Sequence, residues 1–446
     1  MGEANLDKKE NIKSKFDLSS LWCREEWWTV WLGIVLIVAA VGNIITKPVL
    51  PARWGVEGAE SILAAIPSEI IIGMLTTGLI TLIIFAVAVF FSNCQELSDF
   101  LKGYPVIFLL SILAYVLGNY APLRHYGFND VIWALVIGLV ISNLIKVPQF
   151  LQGAVRTGLY IKTGLVLLGA SILFDRMLAL GAMGLGVAWV VTPVVLIVMY
   201  WYSQKVLKMH ENKGLAITIA TATSVCGVSA AIASGTASKA KQEEITLAVS
   251  ITLIFTVLMM VGMPAMVQLL GIDPIVGGAW LGGTIDATGA VVASSALLGS
   301  EAMEVASVIK MVQNILIGII AFGIAVFWVT KYENKSTEEV NINFTEIFTR
   351  IPKFIFGFVG ASLLFSFLLS EPIVASSLPV LNGFRGFFFT LAFISIGLDS
   401  NFKEMAQMVK GGKAIQLYIG GQLLNIVLTL LAAYIFFSGQ FFNLPF

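Results

Sequence analysis

The chain has 446 residues, of which 58% are hydrophobic and only 12% charged, and its mean hydropathy is +0.90. A soluble domain is closer to half apolar and a quarter charged, so this composition indicates an all-α polytopic membrane protein rather than a soluble one. Acids and bases balance at 27 each, and a neutral chain without a basic patch gives no electrostatic reason to bind nucleic acid.

In chain order, residues 1–26 are charged and contain no apolar core. They read as a cytoplasmic N-terminal segment, not a cleaved signal peptide. A spanning helix needs about 20 residues at 1.5 Å each, and apolar stretches of that order occur in about thirteen places. They are 27–46, 69–91, 103–121, 128–145, 154–175, 177–202, 214–237, 245–271, 274–298, 302–330, 354–370, 379–398 and 411–438. Residues 58–68 read as a short interfacial helix, and Trp22, Trp27, Trp28 and Trp31 as an interfacial belt. The expected organisation is two additional N-terminal helices in 27–100, a first transporter block in 103–330, a cytoplasmic linker over 331–353 and a second block in 354–446. If all thirteen segments cross and the N-terminus is cytoplasmic, about two thirds of the 27 lysines and arginines fall on the inside, as the positive-inside rule requires. A multi-pass protein of a bacterial inner membrane is the expected setting.

Several chemistries lack the residues they need. Cys23, Cys94 and Cys226 lie in unrelated contexts, without disulfide or zinc spacing. The two histidines, His125 and His210, are too few for a His-rich metal site, and no resident cofactor or metal is expected. No phosphate-binding Gly-x-x-x-x-Gly-Lys-[Ser/Thr] motif is present, so any pumping would draw on an ion gradient or on another subunit.

An internal repeat is expected. Gly164–Met177 and Ala392–Met405 align at a constant offset, with Gly169 on Gly397, Phe174 on Phe402 and Met177 on Met405. Each motif ends a span, and the charge-based topology places the two turns on opposite sides of the membrane. Opposed similar units are the mark of an inverted repeat, with a site at the bilayer midplane.

Two segments are ill suited to lipid. Residues 217–230 carry Thr218, Thr221, Thr223, Ser224, Cys226 and Ser229 around Gly227. Residues 277–289 carry Gly282, Gly283, Thr284, Asp286, Thr288 and Gly289. Hydroxyls, glycines and a carboxylate at mid-span are costly in hydrocarbon and normally face a cavity or a protein neighbour. An unwound stretch of this kind offers N–H groups to an anion or carbonyls to a cation. Small residues also allow close packing of helices, the structural alternative for both segments. Ser307, Lys310, Gln313 and Asn314 form a polar stripe at helical spacing. Lys310 lies about eight residues, or ~12 Å, from the end of its span, within reach of snorkelling. Snorkelling is also expected for Lys162 and Arg385.

These stretches resemble the sulfate-exporter family of YeiH-like bacterial inner-membrane proteins, from roughly residue 103 onward. Residues 223–230, Thr-Ser-Val-Cys-Gly-Val-Ser-Ala, resemble that family's Ser-Ile-Cys-Gly-x-Ser-Ala signature. Gly283-Thr-Ile-Asp286 resembles its Ser-Thr-Val-His-Glu segment, and Val308–Asn314 its Lys-Leu-Thr-Arg-Asn segment. Asp286 stands in place of the His, Ala287 of the Glu and Gln313 of the Arg. The resemblance implies a distant relation to the bile-acid-symporter and cation/proton-antiporter fold, with inverted repeats and discontinuous helices crossing at the midplane.

The functional expectation is a secondary active transporter of a small solute, an inorganic or organic anion of the sulfate or sulfonate type, working by alternating access. Thr221, Thr223, Ser224, Cys226, Gly227, Ser229, Lys310 and Asn314 are the expected solute contacts. Asp286, Thr284 and Thr288 are the expected ion-coupling residues, with Na+ or H+ as the ion. The expected partners are the solute, the lipid bilayer and a second copy in a homodimer. The rivals are a sodium/proton exchanger built on Asp286, and a non-transporting membrane enzyme or sensor, which the lack of paired catalytic groups disfavours.

Overall fold

The computed structural model describes residues 22, 24–57, 59–125, 129–145, 147–332, 352–401, 403 and 412–445. Nearly all of the 1–26 segment, most of the 331–353 linker and most of the turn after the second repeated motif lie outside the described residues. The described chain is helical, with two isolated β-bridges, Trp54 to Tyr120 and Val56 to Ala59.

Helices α1 to α6 are Glu25–Val41, Ser68–Ser92, Leu97–Gly118, Asp130–Leu144, Thr157–Gly169 and Phe174–Lys205. Helices α7 and α8, Lys213–Ser224 and Gly227–Ala237, are two halves of one interrupted segment, followed by α9, Gln242–Leu269. A second interrupted segment gives α10, Pro274–Thr284, and α11, Thr288–Ala296. Then come α12, Ser300–Tyr332, α13, Phe354–Leu363, α14, Glu371–Asp399, and α15, Gly412–Phe437. Local chemistry explains several boundaries. Asn129 caps α4, its side chain accepting from the Val131 and Ile132 amides at 3.1 and 3.2 Å. Asp273 caps α10, accepting from the Ile275 amide, with Pro274 at the first turn where its missing N–H costs nothing.

Seven helices among the described residues are long and apolar enough to cross a membrane: α2, α3 with the single turn before it, α6, α9, α12, α14 and α15. The protein is a multi-pass helical membrane protein. Among the described residues these seven fall short of the thirteen expected spans, and the expected discontinuity is present. The 214–237 and 274–298 segments are each split, and their halves of 9 to 12 residues reach at most ~18 Å, short of a ~30 Å hydrocarbon core.

The helices pack as two bodies that do not follow chain order. One contains α1 to α5 with α13 and α14; the other contains α6 to α12 with α15. In the first, α14 is the central helix, meeting α1, α3, α4 and α5. It approaches α4 most closely where Gly397 faces Gly138, since a Cβ on either glycine would lie within 2.8 Å of the other helix's backbone. In the second, α10 lies along α12 by the same means. Gly278 and Gly282 sit one turn apart against the backbones of Ala302 and Ala306. The bodies meet chiefly where α11 touches α5 and α14, and where α13 touches α6.

The repeated motifs end helices as expected, Gly169 closing α5 and Gly397 lying in the last turn of α14. The same offset does not carry one broken segment onto the other, because the two breaks are only about sixty residues apart.

Candidate functional site at the helix crossing

The first break is two residues long. Val225 (φ −128°, ψ −90°) and Cys226 (φ −145°, ψ 77°) leave helical geometry, and the chain re-enters a helix at Gly227. The second spans 285–287, with extended backbone at Ile285 and Ala287 on either side of Asp286. The breaks touch. A Cβ on Gly227 would fall 3.0 Å from the Asp286 carbonyl oxygen and 2.7 Å from the Thr252 methyl, so only glycine allows this approach. Two interrupted helices therefore cross at their interruptions, inside the body formed by α6 to α12 and α15.

A broken helix exposes carbonyls at the end of its first half and N–H groups at the start of its second. The carbonyl ends of α7 and α10 receive side-chain donors from long neighbouring helices. Asn425 Nδ2 donates to Thr223 O at 3.2 Å. Gln313 Nε2 donates to Ser224 O at 3.0 Å and to Gly283 O at 3.2 Å, tying the two half-helices together. Lys310 Nζ donates to Val225 O at 2.5 Å and to Gln313 Oε1 at 2.6 Å. Gln422 Nε2 donates to Thr284 O at 3.1 Å, and Thr192 Oγ1 donates to Ser224 O at 3.0 Å. The ammonium thus lies at the negative end of the α7 dipole, where a cation is favoured.

Asp286 occupies the opposite pole. It precedes the first turn of α11 and abuts the first residue of α8, where the free amides of both halves favour an anion. Tyr418 donates its hydroxyl to Asp286 Oδ2. Among the described residues Asp286 Oδ1 has no hydrogen-bond partner, although the residue is only 1% exposed. Three further buried oxygens around the crossing are also unpartnered: Thr284 Oγ1, Asn314 Oδ1 and Gln422 Oε1. Buried polar atoms are normally paired, so these four oxygens are among the exceptions in the described residues.

The sequence-derived residues separate into three groups. Thr221, Thr223 and Ser224 are buried, and their hydroxyls bond to carbonyls of their own helix at 2.8, 2.9 and 3.3 Å. Each hydroxyl donates within its own helix. Cys226, Gly227, Asp286, Thr288 and Asn314 do come together there. Asn314 Nδ2 donates to Thr288 Oγ1 at 3.1 Å, and Cys226 Sγ lies 3.8 Å from the same oxygen. Cys226 and Thr288, at the amide end of the crossing, are half-buried, and Ser229 is exposed. Lys310 forms the third group. Its side chain is completely buried, which removes the snorkelling alternative, and it stands behind the break on the carbonyl side.

Four partners, Tyr418, Gln422, Asn425 and Thr429, were not among the expected site residues. They recur at steps of four, three and four along α15, a polar stripe as regular as that on α12. Thr429 donates to Asn425 Oδ1 at 3.0 Å and so orients the amide that caps α7. Snorkelling is not what Arg385 does either: its guanidinium donates to Ser171 Oγ at 3.1 Å. Lys162 is half-buried, with Nζ 3.9 Å from Glu26 Oε1.

Comparison with known proteins agrees that this is a membrane protein. A "UPF0324 membrane protein" of Rhodopirellula baltica is 49% identical over 403 residues, which cover 89% of this chain and 73% of that protein. One from Nitratidesulfovibrio vulgaris is 46% identical over 364 residues, covering 79% of this chain and 62% of its own length. The chain thus spans about two thirds of these relatives. A shorter relative from Streptococcus pyogenes is 28% identical over 337 residues, covering 74% of this chain and 95% of its own length. No solved structure matches the chain. The family model described as "Conserved hypothetical protein 698" matches residues 102–417, a stretch that holds both half-helix pairs, Lys310 and Asp286, and the chain belongs to that family of membrane proteins.

Proposed function

We propose that the protein is a secondary active transporter, not an enzyme, that moves a small anion across a bacterial inner membrane by alternating access. The observation that carries this reading is the crossing itself. Two interrupted helices meet at mid-molecule, their carbonyl ends capped by protein and their amide ends partly open. A sealed structural crossing would satisfy both ends. Here the free amides of α8 and α11, with Ser229, Thr288 and Asn314, offer donors to a sulfate- or sulfonate-like solute. The sequence resemblance to the sulfate-exporter proteins favours the same solute class. Lys310 contributes positive field from behind the break rather than direct contact.

Asp286 is the coupling residue in this reading. With one carboxyl oxygen held by Tyr418 and the other unpartnered, it is placed to take a proton or Na+ as the solute binds. Each half-helix pair counts as one crossing, so thirteen crossings follow, with the N-terminus cytoplasmic. The body of α1 to α5, α13 and α14 serves as the frame against which the other moves. The inverted repeat and the distant kinship with the bile-acid-symporter and antiporter fold are part of the same proposal.

Purified protein in liposomes, given labelled sulfate or a sulfonate under imposed proton or sodium gradients, tests it. Gradient-dependent flux is expected, and Asp286→Asn should abolish the gradient dependence. Absence of flux for every anion tried, with Asp286→Asn unchanged, would sink the proposal. The four unpartnered buried oxygens favour one alternative, a sodium/proton exchanger. Proton release on adding Na+ to anion-free proteoliposomes would select it.

A further inference from the structure

A groove of about 900 Å³ lies away from the crossing, between the C-terminal turns of α6, the first turns of α7 and the C-terminal turns of α12. Its long wall is apolar, from Leu196 and Ile197 on one side to Ile320 and Ile324 on the other. Ile197 is exposed, so this wall opens outward toward the position of lipid. Its other end is basic. Lys205, Lys213 and Lys331 line that end, and among the described residues no acid lines the groove. Glu211, two residues before Lys213, lines a separate cavity beside Lys413.

Aromatic residues fix the level of the basic end. Tyr200, Trp201 and Tyr332 border it, and Trp and Tyr concentrate where hydrocarbon gives way to headgroups. Two of the ammonium groups are held at the rim by rings: Lys213 Nζ is 4.2 Å from the Tyr332 ring centre and Lys331 Nζ 5.0 Å from that of Phe327. The hydroxyls of Tyr200 and Tyr332, 2.8 Å apart, join α6 to α12 there. Among the described residues, none of the three lysines has a carboxylate within ion-pair distance.

We infer that this groove binds one anionic phospholipid, its phosphate between Lys205, Lys213 and Lys331 and an acyl chain along the Ile197–Ile320 wall. Charge complementarity selects the headgroup, because a zwitterionic lipid brings no net charge to three convergent cations. The volume suits a single bound molecule, within the range of about 300–1,000 Å³ for ligand pockets. The groove flanks α7, whose far end is the first break, so an occupant there bears on the half-helix that the crossing depends on.

Native mass spectrometry of the full chain, purified in mild detergent and offered equal phosphatidylglycerol and phosphatidylcholine, tests the site. Wild type should retain phosphatidylglycerol preferentially. Each lysine near an anionic group contributes roughly fivefold, so the combined Lys205→Gln, Lys213→Gln and Lys331→Gln variant should lose up to about 100-fold of that preference. Gly323 also lines the groove, and a Cβ there meets nothing within 4 Å. Gly323→Leu therefore fills the groove without disturbing the helix, and should lower retention of both lipids. Equal retention of the two lipids by wild type would overturn the assignment. So would an undiminished preference in the lysine variant, or unchanged retention in Gly323→Leu. A lipid-free dimer that Gly323→Leu dissociates would give the groove to a second copy of the chain instead.

Discussion

Lys310 and Asp286 sit at opposite electrical poles of one crossing. An unpaired charge in a low-dielectric interior costs several kcal/mol, so each persists only where something compensates it. For Lys310 this is the Val225 carbonyl, the Gln313 side chain and the end of the α7 dipole. Lys310→Met would leave both acceptors without a donor, at about 1–3 kcal/mol. It should lower the thermal unfolding temperature in detergent, and combining it with Gln313→Leu should cost less than the sum, because the two share one network. Tyr418→Phe removes the only hydrogen bond to Asp286 found among the described residues, a loss of about 1.5–3 kcal/mol if the carboxylate is ionised. A melting temperature indistinguishable from wild type would indicate a carboxyl group that does not need this donor. The depth of Asp286 was legible in the sequence, since no boundary error could bring the acid to the surface, whereas the sequence left Lys310 within reach of snorkelling. The Tyr418, Gln422, Asn425 and Thr429 stripe was equally periodic, but it lies about 130 residues further on, and nothing local says which helix it faces.

At the scale of elements, glycine decides where helices touch. The Gly278/Gly282 pair turns α10 into a smooth face against α12. Gly282→Val would drive its Cβ to 2.9 Å from Ala306 Cα, an overpacking expected to cost about 1–3 kcal/mol or more. Gly323→Val, with open space around its Cβ, is the control and should leave thermal stability within about 1 kcal/mol of wild type. Melting curves of the two variants measured side by side would decide this. The glycine-rich second segment was thus doing two things the sequence could not separate. Gly278 and Gly282 serve packing, whereas the 285–287 interruption serves the crossing. The hydroxyl-rich first segment divides likewise, its threonines turned back on their own helix and its Cys226-Gly227 pair forming the break.

At the scale of the whole molecule, a few helices connect two bodies. Gly289 of α11 lies against Ile161 of α5 and near Ile396 of α14, the most direct bridge between them. If the bodies move against each other, joining them should arrest transport. Gly289→Cys with Ile396→Cys, in a background where Cys23, Cys94 and Cys226 are serine and flux is retained, should lose flux on treatment with a short bifunctional thiol reagent. A pair within one body, Ala302→Cys with Val276→Cys, should not. Undiminished flux in the cross-linked first pair would show that the two bodies need not separate. A second link lies where α13 touches α6, while the ion pair of Arg176 Nε with Glu304 Oε1 at 2.9 Å ties α6 to α12 within the second body.

The sequence by itself determined the solvent, the helical class and the two segments unsuited to lipid, because hydropathy and mid-span polarity are properties of short windows of chain. It also placed Asp286 at mid-span. Only the tertiary structure decided where the two polar segments break and that the breaks touch, that α15 supplies Gln422 and Asn425, two of the five capping side chains, and that Lys310 stands behind the break rather than facing a solute. Those are relations between helices far apart in the chain, set by which small residues allow backbones to meet, and no local pattern encodes them.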